Sequence, residues 1–149
     1  MTIKAQIELP IARSADAVWT ELTAVERYPE WLTESGVTRV ERDPGPLGAG
    51  SRLRIDQRLA GQAALLEGIV TAWDPPSRFA FRATHPDGIT VEAEAVVASE
   101  GSTSRLRWSL RIGLPLRLRL FESMAAPQAK RAATNDLLAL KRRLESVAG

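Results

Sequence analysis

The chain is 149 residues long, 44% hydrophobic and 26% charged, and holds no cysteine. That length suits one domain, residues 1–149, with a real core, and the lack of cysteine excludes disulfides and thiolate metal sites. The formal charge of +2 hides a split: residues 1–100 carry 10 Lys and Arg against 15 Asp and Glu, whereas residues 101–149 carry 10 against 3.

The segment MTIKAQIELPIA has neither a long apolar run nor a cleavage pattern, so no signal peptide or membrane span is expected and a cytoplasmic protein is. Within it Ile3, Ala5, Ile7, Leu9 and Ile11 alternate with Lys4, Gln6 and Glu8, the period of a half-buried strand. A helix follows, with Ser14 as its cap; Ala17, Val18, Leu22 and Val25 form one face and Glu21 and Glu26 point away. Pro29 breaks or restarts it. The stretch ERYPEWL then places Tyr28 and Trp31, two of only eight aromatic residues, beside that proline. Both readings stand at this stage: core that glues short helices to a sheet, or the wall of a cavity. A buried Tyr or Trp needs a partner for its polar atom, which makes either a usable handle for a ligand.

A short strand, GVTRVERD, precedes a Gly- and Pro-rich loop, PGPLGAG. Four or five further strands come next. SRLRIDQRL alternates Leu53, Ile55 and Leu59 with Arg52, Arg54, Asp56 and Arg58, and Gln57 shares the inward parity. ALLEGIVTAW is apolar on both parities; Glu67 shares its parity with Leu65 and Ile69. RFAFRA puts Phe79 and Phe81 on one face. HPDG reads as a hairpin turn. ITVEAEAVV alternates Ile89, Val91, Ala93, Ala95 and Val97 with Thr90, Glu92 and Glu94. RLRWSLRI alternates Leu106, Trp108, Leu110 and Ile112 with arginines. Strand and helix are both compatible with GLPLRLRLFESM, and Leu114–Leu120 is expected to be buried. From Pro127 a helix of about five turns is expected, with Ala133, Leu137, Leu140 and Leu144 as its apolar stripe. The class is α+β: a curved antiparallel sheet of six to seven strands, two short helices after the first strand, and a long C-terminal helix against the concave side.

ADAVWTELTAVERYPEWL, GPLGAGSRLRI, GIVTAWDPPSRFAFR and the closing LLALKRRLE, in that order and spacing, resemble the START-like SRPBCC superfamily, in its polyketide cyclase/dehydrase and lipid-transport branch, over residues 3–147. The resemblance implies a helix-grip fold with an apolar cavity under the long helix. It also implies a lipid, polyketide or aromatic compound as ligand, with cyclisation or dehydration in some members. Ligand contacts are then expected from Tyr28, Trp31, Leu53, Ile55, Gln57, Leu59, Glu67, Ile69, Phe79, Phe81, Val91, Ala93, Leu106, Trp108, Leu110 and Met124.

Chemistry has few candidates. His85 is the only histidine and sits in the HPDG turn, which makes a Ser-His-Asp triad a poor fit. No His/Cys cluster, calcium-loop spacing, G-x-G-x-x-G or Walker lysine is present, so no metal and no cofactor is expected. Glu67 either faces solvent or pairs with an arginine on the neighbouring strand, the favoured reading, or it faces the cavity, where desolvation would raise its pKa and it could serve as acid or base; Tyr28 is the other weak catalytic candidate. Binding of a small hydrophobic molecule is the favoured reading and enzyme status is open. The alternatives are a cyclase or dehydratase using Glu67 or Tyr28, and a regulatory interaction domain using the basic C-terminal helix. No nucleic-acid partner and no integral membrane association are expected, because no aromatic platform interleaves the basic residues and no long apolar run is present, and a homodimer is left open.

Overall fold

The computed structural model describes residues 2–59 and 61–146, the side chain of Leu59 excepted. Alternating apolar and polar residues give each strand one face to bury. The seven that form are β1 (Thr2–Ile11), β2 (Val37–Arg42), β3 (Arg52–Leu59), β4 (Gln62–Asp74), β5 (Arg78–Thr84), β6 (Thr90–Glu100) and β7 (Thr103–Gly113). They make one antiparallel sheet in the order β1-β7-β6-β5-β4-β3-β2. β1 and β2 thus lie at opposite edges, and the chain between them must cross the width of the sheet. That crossing is helix α1 (Ala15–Thr23), capped by Ser14 Oγ accepting from Ala17 N, followed by a 3-10 helix, Val25–Glu30.

The inner face carries Ile3, Leu9 and Ile11 of β1, Phe79 and Phe81 of β5, Ala93, Ala95 and Val97 of β6, and Leu106 and Trp108 of β7. Helix α2 (Glu122–Ser146) lies against it. Ala133, Leu137, Leu140 and Leu144 are buried as the stripe predicts, each leucine contributing on the order of 2 kcal/mol. Three bonds tie the C-terminal half of α2 to the end of β1 and the turn after it. Lys141 Nζ donates to Pro10 O, Ala12 N donates to Glu145 Oε2, and Arg13 donates to Leu144 O.

Several sequence expectations change. Helix α2 begins five residues before Pro127. The proline leaves the Ser123 carbonyl without its helical donor, but both residues are exposed, so water can serve that group. Residues 114–120 are neither strand nor buried. After Leu114 and Pro115 the chain forms a second 3-10 helix, Leu116–Phe121, in which Leu120 is 88% exposed. Glu21, expected to point to solvent, is buried and paired with Arg143 of α2, which also binds Glu30. No helix among the described residues is long and apolar enough to cross a membrane.

Candidate functional site

The two halves of α2 differ in bulk. The C-terminal half presents leucines to the sheet, while the N-terminal half presents Ala125, Ala129 and Ala132. Opposite them the sheet also turns small: Ala83 and Ala93 lie between Phe81 and Val91, which they face across the ladder. Side chains that short cannot bridge the gap, and a cavity of about 290 Å3 remains. Its floor is Ile55, Phe81, Ala83, Val91, Ala93, Trp108, Leu110 and Ile112. Tyr28, Leu32 and Val37 close one side, and Glu34, Ser35, Gln57, Ile89 and Gln128 complete the lining.

The loop that carries Glu34 and Ser35 is clamped from two directions. Asp136 of α2, only 1% exposed, accepts from Glu34 N and Ser35 N, both at 2.9 Å. Burial pushes the Asp136 carboxyl up from its usual range, while the bonds from Ser35 and Glu34 work the other way. From the sheet, Gln57 Nε2 donates to Ser35 O at 2.7 Å. Gly36 turns the chain into β2 at φ +84°, with Gly36 O accepting from Arg58 N.

Seven of the eight aromatic residues form a continuous chain of edge-to-face and tilted contacts behind this cavity. It runs Trp19, Trp73, Phe79, Phe81, Tyr28, Trp31, Trp108, with neighbouring ring centroids 5.1–6.4 Å apart. Only its Phe81, Tyr28 and Trp108 reach the lining. Trp31, 1% exposed, sits between Tyr28 and Trp108 as a second layer, and its Nε1 has no partner among the described residues.

Of the expected ligand contacts, Tyr28, Ile55, Gln57, Phe81, Val91, Ala93, Trp108 and Leu110 line the cavity. Leu53, Phe79 and Leu106 are buried core outside the lining, as is Trp31. The Leu59 side chain lies outside the described residues. Three placements are corrections. Glu67 and Ile69 lie on the convex face, Ile69 41% exposed, because the inward parity of β4 is Leu66, Gly68 and Val70. A β-bulge between Val70 and Ala72 then shifts the phase, bringing Trp73 against Trp19 and Phe79. Gly68 shows why: Leu53 Cβ lies only 3.3 Å from where a Cβ on it would sit, so the tight side of the strand is the inner one. Met124 is 69% exposed, one residue before the first lining alanine. Sequence reasoning missed the alanines of α2, Ala83, Glu34, Ser35 and Gln128. The sequence contrasts a leucine-rich LLALKRRLE with an alanine-rich AAPQAKRAA, but that contrast by itself does not say that a cavity lies opposite the alanines.

Neither catalytic candidate is poised for proton transfer. Glu67 faces solvent opposite Arg54 and Thr84. The Tyr28 hydroxyl donates to Leu22 O, and burial, reinforced by the Glu21 charge, raises its pKa further above the ordinary phenol range. A wider hollow of about 720 Å3 lies on the convex face, over Lys4, Gln6, Arg78, Arg82, Glu92, Glu94 and Arg111. It is floored by charges that answer one another, such as Arg78 with Glu94 at 2.8 Å, and is not an apolar site. Among the described residues no group of three or more His, Asp or Glu could hold a metal ion.

The sequence pattern of one known family, described as polyketide cyclase / dehydrase and lipid transport, matches residues 2–145. The chain belongs to that family. The polyketide cyclase/dehydrase and lipid-transport fold also appears in solved structures of low sequence identity. The Zhui aromatase/cyclase from Streptomyces sp. R1128 is 18% identical with a TM-score of 0.78, over 100% of this chain and 99% of that one. A START superfamily protein from Mycobacterium smegmatis is 17% identical with a TM-score of 0.79, over 97% and 99%. A norcoclaurine synthase from Thalictrum is 17% identical with a TM-score of 0.62, over 96% and 97%. Identities this low establish the helix-grip fold alone. Among curated protein sequences none matches the chain significantly.

Proposed function

We propose that the protein binds one small, largely apolar molecule between its sheet and the first three turns of α2, and holds it without changing it. The observation that carries this reading is the run of alanines, Ala125, Ala129 and Ala132, facing Ala83 and Ala93 across a space of about 290 Å3. At ~30 Å3 per water that space corresponds to roughly ten waters, the scale of a one- or two-ring compound. Binding is favoured over catalysis because the one buried hydroxyl there, Tyr28, is already committed to Leu22 O, and Glu67 is remote from the cavity. The cyclase/dehydratase reading keeps its support in the family description; it requires Glu34 or Tyr28 as its acid rather than Glu67. Cytoplasmic residence is part of the same proposal. A homodimer, or a partner of the basic C-terminal third, would meet the exposed strip Leu116, Leu120, Phe121 and Met124 beside Arg117 and Arg119.

Native mass spectrometry of the purified protein, followed by denaturation, looks for a co-purifying compound. Equilibrium dialysis with naphthalene then compares the wild type with Ala129→Trp, which plugs the cavity from the helix side. Binding by the wild type and its loss in a folded Ala129→Trp are expected. If the wild type binds neither compound, or the plugged variant binds naphthalene equally, the proposal fails. Glu67→Gln is expected to leave binding unchanged.

A further inference from the structure

We propose that this cavity selects uncharged molecules bearing a hydroxyl and rejects carboxylates, with Gln57 as the residue that reads the hydroxyl. The inference rests on the binding role proposed for the same cavity and names the class of compound it takes.

The first observation is the charge of the wall. The chain has 20 Lys and Arg, yet none of them, nor His85, lines the cavity. Among the described lining residues the only formal charge is that of Glu34. Directly behind the same loop lies a second carboxylate, Asp136, bonded to Glu34 N and Ser35 N. Lys130 and Arg131, the nearest cations in sequence on α2, are exposed, on turns whose other residues, Ala129 and Ala132, face inward. A carboxylate entering would give up its hydration against apolar walls and the Glu34 charge, with no cation among the described lining residues to answer it. A neutral ring meets no such cost.

The second observation is the state of Gln57. Its amide nitrogen donates to Ser35 O, and a carbonyl can only accept, so the contact itself fixes which end of the amide is which. The oxygen Oε1 is then left as an acceptor that no described residue bonds, on a residue in the cavity wall. The Tyr28 hydroxyl cannot supply the missing donor, since its proton goes to Leu22 O. Gln57 is half-buried and its Oε1 is not among the buried unpartnered atoms, so a ligand hydroxyl entering the cavity can take the place of water as its donor. The hydroxyl oxygen can accept in turn from the neutral polar groups at the rim, Ser35 and Gln128.

The test is equilibrium dialysis of naphthalene, naphthol and naphthoate at neutral pH, where naphthol is neutral and naphthoate ionised. Naphthol is expected to bind about tenfold more tightly than naphthalene, the worth of one neutral hydrogen bond, and at least tenfold more tightly than naphthoate. Gln57→Leu should erase the difference, so that naphthol and naphthalene bind the variant equally, whatever the loss of the Ser35 contact does to both. Naphthoate binding as well as naphthol, or naphthol gaining nothing over naphthalene in the wild type, overturns the selectivity while leaving the binding site standing. Failure of all three ligands overturns the binding role and the selectivity together. The wild-type comparison decides the matter even if Gln57→Leu does not fold.

Discussion

Replacing Asp136 by alanine removes both acceptors that hold the loop between the first 3-10 helix and β2. The carboxylate is 1% exposed and bonds Glu34 N and Ser35 N at 2.9 Å each. Bonds of a charged group to backbone N–H are worth about 1.5–3 kcal/mol apiece. Against them stands the desolvation that raises the carboxyl's pKa, which the alanine variant recovers. The expected net loss is about 2–3 kcal/mol, or roughly 5–10 °C in Tm for a domain of this size. Asp136→Asn, which keeps one acceptor, should lose about half as much. Urea unfolding followed by tryptophan fluorescence measures both. The loop supplies Glu34 and Ser35 to the cavity rim, so naphthalene affinity should fall with stability. The pH dependence has a definite sign. A folded-state pKa raised by burial means that the native protein holds the proton longer, so this group's contribution is full below the unfolded carboxylate value, near pH 4, and is lost as pH rises through the raised value. The stability difference between wild type and Asp136→Asn should therefore shrink across that window. A loss under about 0.5 kcal/mol in Asp136→Ala would refute the reasoning, since the two N–H groups would then be finding water instead.

Tyr28 is the sole tyrosine, so ultraviolet titration reads it alone; tyrosinate is expected to appear only as the protein unfolds in alkali, and ionisation at an ordinary phenol pH would contradict its burial. Tyr28→Phe leaves Leu22 O without its donor and should cost about 1–2 kcal/mol in urea unfolding. Arg143→Ala strands the buried Glu21, whose other cation, Arg27, is 3.6 Å away, and should cost about 2 kcal/mol; Arg27→Ala, at an exposed site, should cost under about 0.5 kcal/mol. Equal losses would mean that the Glu21–Arg143 pair carries no special weight. A Cβ at Gly36 would meet Arg58 O at 2.5 Å, whereas one at Gly45 meets nothing within 4 Å. Both have positive φ, so Gly36→Ala should lower Tm well beyond Gly45→Ala, by the equivalent of about 2 kcal/mol or more.

The order of elements, the antiparallel class and the inward faces of β1, β3, β5, β6 and β7 were all legible in the chain, because alternation and the helix period are local properties that burial merely selects. The leucine stripe of α2 was legible for the same reason, as was the inward parity of Gln57. Local pattern failed where two parities were both apolar. In LLEGIV the side of Glu67 depended on which face Leu53 and Ile55 crowded, and that is a contact between strands. It failed again at Glu21, whose burial exists only because Arg143 arrives from more than a hundred residues away. Above all, no alanine announces a cavity. Ala125, Ala129 and Ala132 read as ordinary helix formers, and Ala83 and Ala93 as ordinary strand positions. They line a cavity only when tertiary structure sets the small faces opposite one another and anchors α2 at its other end, since an unfilled volume belongs to the surfaces that surround it and to no residue in particular.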